Sequence, residues 1–359
     1  MVHALVTRGP GAPLQVEDVE LPAPGPGQVR VRVAAAGVCH SDLSMANGTI
    51  AAPFPLVLGH EATGVVEQVG ADVAKVRPGD HVVLNWSPAC GRCWFCTHAQ
   101  PWLCETGGTP ARAQGTTATG EPLHVTLGVG ALAEQVVVDE AAVVPVPAQL
   151  PADVAALLGC AVLTGVGAVR NTAKVQPGES VAVLGLGGVG LATVIGARAA
   201  GADPIIAIDV SAEKEQLARA AGASDFLLSD DALSKAVRGL TGGRGVDHAF
   251  ECVGRSATIR AAWRLTRRGG QVTVVGMGAK DDLVQLSALD IFASARTLRS
   301  SVYGSSDPDR DLPALVREVL DGRLDLSPLI THRITLADAP AAFERMSAGQ
   351  GARSVVLFE

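Results

Sequence analysis

The sequence predicts a two-domain α/β protein, in which a mainly antiparallel β domain is joined to a doubly wound parallel sheet. Three observations support this fold class. The chain has 359 residues, whereas a single hydrophobic core stops growing near about 250–300 residues. Its first part is rich in glycine, proline and β-branched residues, and from about residue 160 short apolar runs alternate with helical patterns. Such alternation is typical of a parallel sheet covered by helices.

The elements of the first domain, expected over residues 1–161, are short strands separated by turns. Four segments have the composition of strands: Gln28–Ala34, Thr63–Val69, His81–Asn85 and Glu134–Val138. The C-terminal part, residues 303–359, contains a predicted helix around Leu312–Leu320 and a predicted strand at Ser354–Phe358. We expect this part to return to the β domain, which would make that domain discontinuous.

The second domain, expected over residues 162–302, is organised as a repeated strand–helix unit. Its predicted strands are the short apolar runs Val181–Gly185, Ile205–Asp209, Phe226–Leu228, Val246–Glu251, Gln271–Val275 and Thr297–Val302. The predicted helices are Val189–Ala200, Ala212–Ala221, Leu233–Leu240 and Ser256–Leu265. Six such strands make two mononucleotide-binding halves of one sheet.

Composition and charge narrow the class of protein. A hydrophobic content of 48% excludes a disordered chain, and a net charge of −7 argues against a nucleic acid or an anionic membrane as partner. The first residues, MVHALVTRGPGAP, lack a basic segment followed by an apolar stretch, so we expect no signal peptide. We therefore expect a cytoplasmic protein, in which cysteines more often bind metals than form disulfides.

A glycine-rich motif follows the first strand of the second domain. Gly185, Gly187 and Gly190 form G-x-G-x-x-G between a strand and a helix, and Asp209 closes the next strand 19 residues after Gly190. In a dinucleotide site these glycines permit a tight turn and a close approach of the backbone to the pyrophosphate. A carboxylate such as Asp209 binds the ribose hydroxyls and repels a 2′-phosphate, which favours NAD. The alternative, a glycine-rich turn that only packs well, does not explain the distal aspartate.

Four cysteines lie close together in the first domain. Two residues separate Cys90 from Cys93 and Cys93 from Cys96, and Cys104 follows after seven more. Four thiolates match the closed tetrahedral shell of a structural zinc site. An iron–sulfur cluster and a redox-active pair are the alternatives. Zinc is favoured, because no other motif indicates electron transfer and a redox pair does not need four cysteines.

A second set of metal ligands is scattered along the chain. Cys39 follows a predicted strand, His60 and Glu61 follow a turn, and Cys160 stands just before the second domain. Ligands of Cys, His and Cys type, with one position left open, define a catalytic zinc site. The residues alone leave open whether these side chains converge, because an isolated cysteine or histidine is more often a packed core residue.

Several stretches of the sequence carry a family resemblance. Besides the four clustered cysteines, they are GVCHSD (37–42), GHEATGVVEQVG (59–70), PGDHVV (78–83), GC followed by LTGVGA (159–168), GLGGVG (185–190) and ARSVVLF (352–358). Through them the chain resembles the zinc-dependent medium-chain alcohol dehydrogenases, and among these the class III-like, formaldehyde dehydrogenase-like branch. The resemblance implies a GroES-like catalytic domain beside a Rossmann coenzyme domain, with the active site in the cleft.

The resemblance implies roles for residues near the metals. Glu61 matches a carboxylate that can exchange onto the catalytic zinc, Asp42 matches the partner of the zinc-bound histidine, and Ser41 matches the hydroxyl that takes the substrate proton. A histidine ends the proton relay in several family members, whereas Ser44 stands here and is a poor base. The residues that match the zinc ligands are Cys39, His60 and Cys160 at the catalytic ion and Cys90, Cys93, Cys96 and Cys104 at the structural ion.

The resemblance also implies a cofactor site and a substrate pocket. The matches are His40 and Arg353 at the cofactor pyrophosphate, Asp209 and Lys214 at the adenosine ribose, and Thr164 and Val189 beside the nicotinamide. The candidate cofactor site also includes Gly185, Gly187, Gly188, Gly190 and Val275. Trp86 and Met277 fall where the family lines its substrate pocket.

The implied activity is the reversible oxidation of primary alcohols, aliphatic or benzylic, to aldehydes by hydride transfer to NAD, with one catalytic and one structural zinc per chain. A small-molecule alcohol is therefore the expected partner. Trp86 favours flat or medium-length substrates, because it would narrow the pocket and stack on a ring.

Related activities stay open at this point. A glutathione-adduct formaldehyde dehydrogenase is disfavoured, because Glu105–Pro110 contains no basic residue, whereas Arg112 keeps a mycothiol-type thiol cofactor in view. A polyol dehydrogenase is another alternative, and a nucleotide-binding protein without catalysis is a remote one. The 29 residues between Cys104 and Glu134 favour a homodimer over a tetramer, because compact tetrameric family members shorten this region.

Overall fold

The computed structural model describes residues 1–107 and 114–358, and the chain divides into two compact units, each with a hydrophobic core of its own. The first unit comprises Met1–Cys160, Asp307–Leu320 and Ile330–Glu359, and the second comprises Ala161–Ser306 and Asp321–Leu329.

Short strands and turns dominate the N-terminal part of the first unit. Its strands are β1 (Val2–Thr7), β2 (Gln15–Glu20), β3 (Gln28–Gly37), β4 (Leu56–Val57), β5 (Ala62–Val69), β6 (His81–Leu84), β7 (Thr116–Thr117), β8 (His124–Val125), β9 (Gln135–Asp139) and β10 (Val143–Pro145). Its helices are α1 (His40–Ala46), α2 (Trp94–Thr97) and α3 (Ala152–Leu157). In β3, Val29, Val31 and Val33 are buried and alternate with less buried residues, as expected of a strand with one face on the core.

The second unit is a doubly wound parallel sheet, as the sequence predicts. Its strands are β11 (Val181–Leu184), β12 (Ile205–Asp209), β13 (Asp225–Leu228), β14 (Val246–Glu251), β15 (Thr266–Val274) and β16 (Thr297–Ser300). Its helices are α4 (Leu163–Gly167), α5 (Gly188–Ala199), α6 (Glu215–Ala221), α7 (Leu233–Leu240), α8 (Ser256–Leu265) and α9 (Ala288–Ser294). All strand pairs are parallel, in the order β13-β12-β11-β14-β15-β16, which is the Rossmann arrangement. Every residue of β11 is buried, because helices cover both faces of a parallel sheet.

The C-terminal strands join the first unit. The last elements are α10 (Pro308–Leu320), β17 (Ile330–Ile334), α11 (Ala339–Ser347) and β18 (Arg353–Leu357). β18 pairs antiparallel with β3 and completes a seven-stranded sheet in the order β10-β6-β5-β3-β18-β17, in which β9 also pairs with β3. A five-stranded sheet has the order β7-β2-β1-β4-β8. The first unit is therefore built largely from β-sheet.

The C-terminal part differs from the prediction at two places. The sequence predicts that residues 303–359 return as one segment, whereas residues 303–306 and Asp321–Leu329 belong to the second unit. Leu324, Leu326 and Leu329 are buried, and the short helical turn that ends at Leu329 packs against α5 and α6. The sequence patterns of strands and helices do not predict this placement, because it depends on which of the two hydrophobic cores the three leucines pack into.

One helical run among the described residues, Ala152–Ala173, is long and apolar enough to cross a membrane by length and composition alone. Within the protein, 83% of its most apolar window is buried. Burial inside the protein is thus sufficient to explain the high hydropathy of this helical run.

Candidate functional site

Three ligands that are distant in the sequence lie together in the first unit. Cys39 directly precedes α1, His60 lies in the turn between β4 and β5, and Cys160 lies in the helical run after α3. Their ligand atoms are all within 4.8 Å of one another, and all three residues are buried. His60 Nε2 is 3.2 Å from Cys160 Sγ. We call these three residues the buried cluster.

The residues that precede two of these ligands are glycines, and each glycine packs closely against the backbone of a neighbouring segment. Gly59, which precedes His60, has a φ of +100°, and a Cβ there would lie 2.2 Å from the Leu132 nitrogen. A Cβ on Gly159, which precedes Cys160, would lie 2.3 Å from the Leu84 carbonyl oxygen. Only glycine fits at such distances. The positions of His60 and Cys160 therefore depend on tight packing of their own segments.

The buried cluster fits a zinc ion with an open coordination position. Zinc bonds of about 2.0–2.3 Å place neighbouring tetrahedral ligand atoms roughly 3.5–4 Å apart. The ligand atoms of the cluster, none more than 4.8 Å from another, need only small adjustments to reach this spacing. Two sulfurs and one imidazole nitrogen also leave the fourth position free for water or substrate.

Asp42 orients the imidazole of the buried cluster. Its Oδ1 lies 3.0 Å from His60 Nδ1 and accepts a hydrogen bond from the Gly59 nitrogen at 2.9 Å. With Nδ1 engaged in this way, Nε2 is directed at Cys160. A carboxylate in this position fixes the tautomer and the ring orientation of a ligating histidine.

Arg353 and Glu61 extend the buried cluster. Arg353, at the start of β18, is 3% exposed, and its Nη2 donates to Cys39 Sγ at 3.4 Å and lies 3.4 Å from Glu61 Oε2. Its Nη1 donates to the Val38 carbonyl at 3.1 Å. The resemblance assigns Arg353 to the cofactor pyrophosphate and does not anticipate the contact with Cys39. Nothing in the local sequence signals that contact, because it depends on the pairing of β18 with β3.

Charge in the buried cluster favours a thiolate on Cys39. A hydrogen bond from Cys160 holds the pKa of Cys39 well below its usual value, and Arg353 and His60 act in the same direction. The same hydrogen bond, together with burial, raises the pKa of Cys160. Burial opposes a charge on His60, but Asp42 and Cys39 raise its pKa well above the usual value. The thiolate is the form of cysteine that binds metals.

Other candidate residues of the first unit lie around this cluster. In the first turn of α1, His40 is exposed, Ser41 is half-buried and Asp42 is fully buried. The half-buried Trp86 follows β6, and its ring lies edge-on to that of His60 with 6.3 Å between centroids. Trp86 therefore lies beside a candidate zinc ligand.

Four of the other five cysteines form a second cluster around α2. The sulfurs of Cys90, Cys93, Cys96 and Cys104 are within 4.8 Å of one another, and all four residues are half-buried. The Cys90 nitrogen donates to Cys104 Sγ at 3.2 Å, and the Cys93 nitrogen donates to Cys90 Sγ at 3.3 Å. Four sulfurs this close together, two of which accept backbone hydrogen bonds, fit a closed structural zinc site. We call these residues the four-cysteine cluster.

The four thiols differ in acidity. Burial opposes ionisation of Cys104, but hydrogen bonds from Thr106 and from the Cys90 nitrogen lower its pKa to about 6. Burial and the neighbouring Cys93 raise the pKa of Cys96 to about 12. Backbone donors thus prepare part of the cluster to carry negative charge.

The glycine-rich loop of the second unit runs from β11 into α5, which begins at Gly188. Gly185 has a φ of +89°, and a Cβ on Gly190 would lie 1.8 Å from the Gly185 carbonyl oxygen. A Cβ on Gly187, by contrast, would have no neighbour within 4 Å. The fold itself requires Gly185 and Gly190, while Gly187 leaves open space at a helix N-terminus. That space fits a pyrophosphate.

Asp209 is held against this loop at the end of β12. Its Oδ2 accepts a hydrogen bond from the Leu186 nitrogen at 2.8 Å, and its Oδ1 accepts one from the Ser211 nitrogen at 3.0 Å. The buried Lys214 lies nearby; burial lowers the pKa of its ammonium group, and the charge of Asp209 partly opposes this effect. The carboxylate is therefore fixed where a ribose next to the loop would be bound.

The remaining candidates of the second unit lie on α4, on α5 and after β15. Thr164 and Val189 are half-buried on two helices in backbone contact, since a Cβ on Gly165 would lie 2.7 Å from the Val189 carbonyl oxygen. The Val275 nitrogen donates to the Glu251 carbonyl at 2.8 Å. Met277 is 64% exposed. Arg112 lies outside the described residues.

Comparison with known protein families gives two matches. The alcohol dehydrogenase GroES-like domain matches residues 25–148, and the zinc-binding dehydrogenase domain matches residues 188–321. Among curated proteins, S-(hydroxymethyl)glutathione dehydrogenase of Escherichia coli O1:K1 / APEC is 37% identical over an alignment that covers 99% of both chains.

Solved structures are similar to the whole chain. An alcohol dehydrogenase zinc-binding domain protein from Burkholderia ambifaria has a TM-score of 0.94 and 34% identity, covering 100% of this chain and 99% of the other. Benzyl alcohol dehydrogenase from Acinetobacter calcoaceticus has a TM-score of 0.92 and 28% identity, with the same coverage.

Proposed function

The chain belongs to the zinc-dependent alcohol dehydrogenase family, and we propose that it oxidises primary alcohols, aliphatic or benzylic, reversibly to aldehydes with NAD. The observation that carries this proposal is the convergence of Cys39, His60 and Cys160 into one buried cluster with a zinc-type donor set. These residues would hold the catalytic zinc, which supplies a Lewis acid that makes an alcohol hydroxyl acidic near neutral pH. The four-cysteine cluster would hold a structural zinc that braces its loop.

The chain's own residues would position the reacting groups and move the proton. Asp42 keeps the imidazole of His60 directed at the metal position, and Glu61, held near Arg353, is the reserve carboxylate. Ser41 would accept the substrate proton and pass it outward. Because Ser44 is a poor base, the relay would end on water or on the cofactor ribose.

The glycine-rich loop and Asp209 would hold NAD, which supplies the hydride acceptor. Open space at Gly187 would admit the pyrophosphate, and the fixed carboxylate of Asp209 would bind the ribose and disfavour a 2′-phosphate. The other proposed cofactor contacts are His40, Thr164, Gly188, Val189, Lys214, Val275 and Arg353. We also place the enzyme in the cytoplasm, where its thiol ligands stay reduced.

The substrate separates two candidate functions. Trp86 beside His60 favours flat or medium-length primary alcohols, with Met277 as a second lining residue. The second candidate is a thiol-adduct formaldehyde dehydrogenase, which is favoured by 37% identity to S-(hydroxymethyl)glutathione dehydrogenase. The absence of a basic residue in Glu105–Pro110 argues against glutathione, and Arg112 favours another thiol such as mycothiol.

A substrate panel tests both candidates. NADH absorbance is followed with aliphatic, benzylic and polyol substrates, and with formaldehyde alone, with glutathione or with mycothiol. The main proposal expects the highest kcat/KM for primary alcohols without added thiol. Turnover that requires formaldehyde plus a thiol would establish the second candidate. Oxidation of the secondary hydroxyl groups of polyols would favour a polyol dehydrogenase.

We further propose a homodimer in which β16 of one protomer pairs with β16 of its partner. β16 is an edge strand whose four residues are exposed, and the neighbouring Leu289 and Phe292 are 74% and 85% exposed. Two such edges related by a twofold axis can pair and cover this apolar surface.

Phe292→Asp should shift the mass measured by light scattering to that of a monomer. Leu228→Asp on β13, the opposite edge, is the matched control and should leave the mass unchanged.

A further inference from the structure

A strained turn follows the last strand of the second unit's sheet. Tyr303, Gly304 and Ser305 have φ values of +50°, +69° and +47°, so three consecutive residues are left-handed. Only glycine adopts this conformation freely, and other residues keep it only where their surroundings hold them there. Such strain is concentrated at ligand-binding sites. We call Tyr303–Ser305 the left-handed turn.

Side chains from Ala168–Ala173, the helical segment that follows α4, hold this turn in place. Thr172 Oγ1 lies 2.8 Å from Ser301 Oγ and 2.8 Å from Ser305 Oγ, so one hydroxyl links the two sides of the turn. Asn171 Nδ2 donates to the Gly304 carbonyl at 3.3 Å. Thr172 is 3% exposed, so water does not compete effectively for its hydrogen bonds.

The left-handed turn is also in backbone contact with α4. A Cβ on Gly304 would lie 2.3 Å from the Leu163 carbonyl oxygen, and a Cβ on Gly167 would lie 2.6 Å from the Gly304 carbonyl oxygen. A shift of the turn therefore forces a shift of α4. Thr164, which the proposed function assigns to the nicotinamide, lies between these two α4 residues.

The turn lies at the carboxyl end of a strand of the parallel sheet, the edge at which such sheets bind dinucleotides. We propose that Thr172 is a positioning residue for the nicotinamide half of the cofactor. Its hydroxyl keeps the left-handed turn, and through it α4 with Thr164, in the binding geometry. This inference rests on the proposed function, which supplies the cofactor, and it assigns a role to a residue that would not itself touch the ligand.

The test compares two ligands that share an adenosine diphosphate ribose part. NADH and ADP-ribose are titrated by calorimetry into the wild-type enzyme and into Thr172→Val, which removes the hydroxyl and keeps the shape. Loss of a buried hydrogen-bonding group should weaken NADH binding about tenfold. ADP-ribose, which has no nicotinamide, should bind with unchanged affinity.

Matched variants separate positioning from general destabilisation. Thr172→Ser keeps the hydroxyl and should bind NADH as the wild type does. Thr266→Val removes another buried hydroxyl, which donates to the Ala262 carbonyl at 2.8 Å at the start of β15, and should bind both ligands normally. If Thr172→Val does not fold, Ser305→Ala removes one partner of the same hydroxyl and should show the same selective loss, in smaller measure.

Two outcomes would overturn the inference. The first is wild-type affinity for NADH in Thr172→Val or in Ser305→Ala, and the second is an equal loss of affinity for NADH and ADP-ribose. A wild-type chain that binds neither ligand would instead refute the proposed function. The two failures are therefore distinguishable in one set of titrations.

Discussion

The two cysteine-containing clusters of the first unit both hold their ligand atoms within 4.8 Å of one another but are built in opposite ways. The four-cysteine cluster takes every ligand from residues 90–104 and is half-buried. The buried cluster joins Cys39, His60 and Cys160, of which the first and last are 121 positions apart, and its members are 5%, 1% and 7% exposed. The first can close within its own loop, whereas the second exists only when the sheet, α1 and the helical run after α3 have assembled.

This difference is matched by a difference in surroundings. Asp42 and Arg353 contact the buried cluster through charged groups that are themselves buried. The four-cysteine cluster is contacted mainly by backbone nitrogens and by the exposed Thr106. Buried charges next to a metal tune its chemistry, while backbone donors around a closed site mainly stabilise the loop. Changes to the two clusters should therefore have separable effects, on turnover and on stability respectively.

The largest effect is expected from Cys160→Ala. Removing this ligand should lower kcat/KM by at least about 10³-fold, because a Lewis-acid metal is worth several kcal/mol of transition-state stabilisation. Metal analysis should show one zinc fewer per chain, while NADH titration should show nearly unchanged binding. Cys252→Ala, which alters a cysteine outside both clusters, is the control and should retain activity. Near-normal turnover in Cys160→Ala would show that the buried cluster is not the catalytic site.

Cys96→Ser should mainly affect stability. Without its fourth sulfur the four-cysteine cluster should lose its metal, and the melting temperature should fall by roughly 10 °C. At 25 °C the kcat per folded molecule should stay within about twofold of wild type, because no ligand of the buried cluster changes. Calorimetry and assays on the same sample measure both quantities. Lost activity at an unchanged melting temperature would contradict the division of roles.

Asp42→Asn should have an intermediate effect, on the buried cluster only. The amide retains the shape but not the charge that orients His60, and kcat/KM or zinc affinity should fall by about 10- to 100-fold. Chelator competition and initial rates measure the two quantities. The control is Asp153→Asn, which removes the partner of Arg333 at the surface and should change neither. If Asp42→Asn and Asp153→Asn have the same kcat/KM and the same zinc affinity, Asp42 does not orient the imidazole of His60.

Thr106→Ala should have the smallest effect. It removes the 3.5 Å contact between Thr106 Oγ1 and Cys104 Sγ, and the melting temperature should fall by roughly 2 °C or less with unchanged turnover. Thr97→Ala, whose hydroxyl donates to nearby backbone carbonyls and lies 3.3 Å from His98 Nδ1, serves as the matched control. A loss of zinc affinity as large as that of Asp42→Asn would show that polar side chains matter equally at both clusters.

Most secondary structure could be predicted from the sequence, and the exceptions have physical reasons. β14 (Val246–Glu251) and α8 (Ser256–Leu265) have the predicted bounds. β15 begins at Thr266 instead of Gln271, because pairing of Thr266 with Val246 extends the strand through TRRGG, which locally favours a turn. α9 was absent from the prediction, because its seven residues are too few for a helical pattern to be recognised and its only buried residue is Ser294.

The candidate site could be predicted unevenly. Ligand spacing alone indicated the four-cysteine cluster, and glycines with a distal aspartate indicated the dinucleotide loop. Cys39, His60 and Cys160 could be joined only through a family resemblance, because no local pattern links them. The contact of Arg353 with Cys39 and the link from Thr172 to the left-handed turn were missed, since each depends on elements that meet only in the folded chain.

The sequence by itself thus determined the features whose parts lie close along the chain: the alternation of strands and helices, the glycine-rich loop and the four-cysteine cluster. Short-range geometry and side-chain periodicity are sufficient to specify them. Only the tertiary structure decided that Asp321–Leu329 packs with the second unit, that Arg353 is buried against Cys39 and that three distant ligands share one buried site. These outcomes depend on strand pairing and on burial in a common core, which act between residues regardless of their separation in sequence.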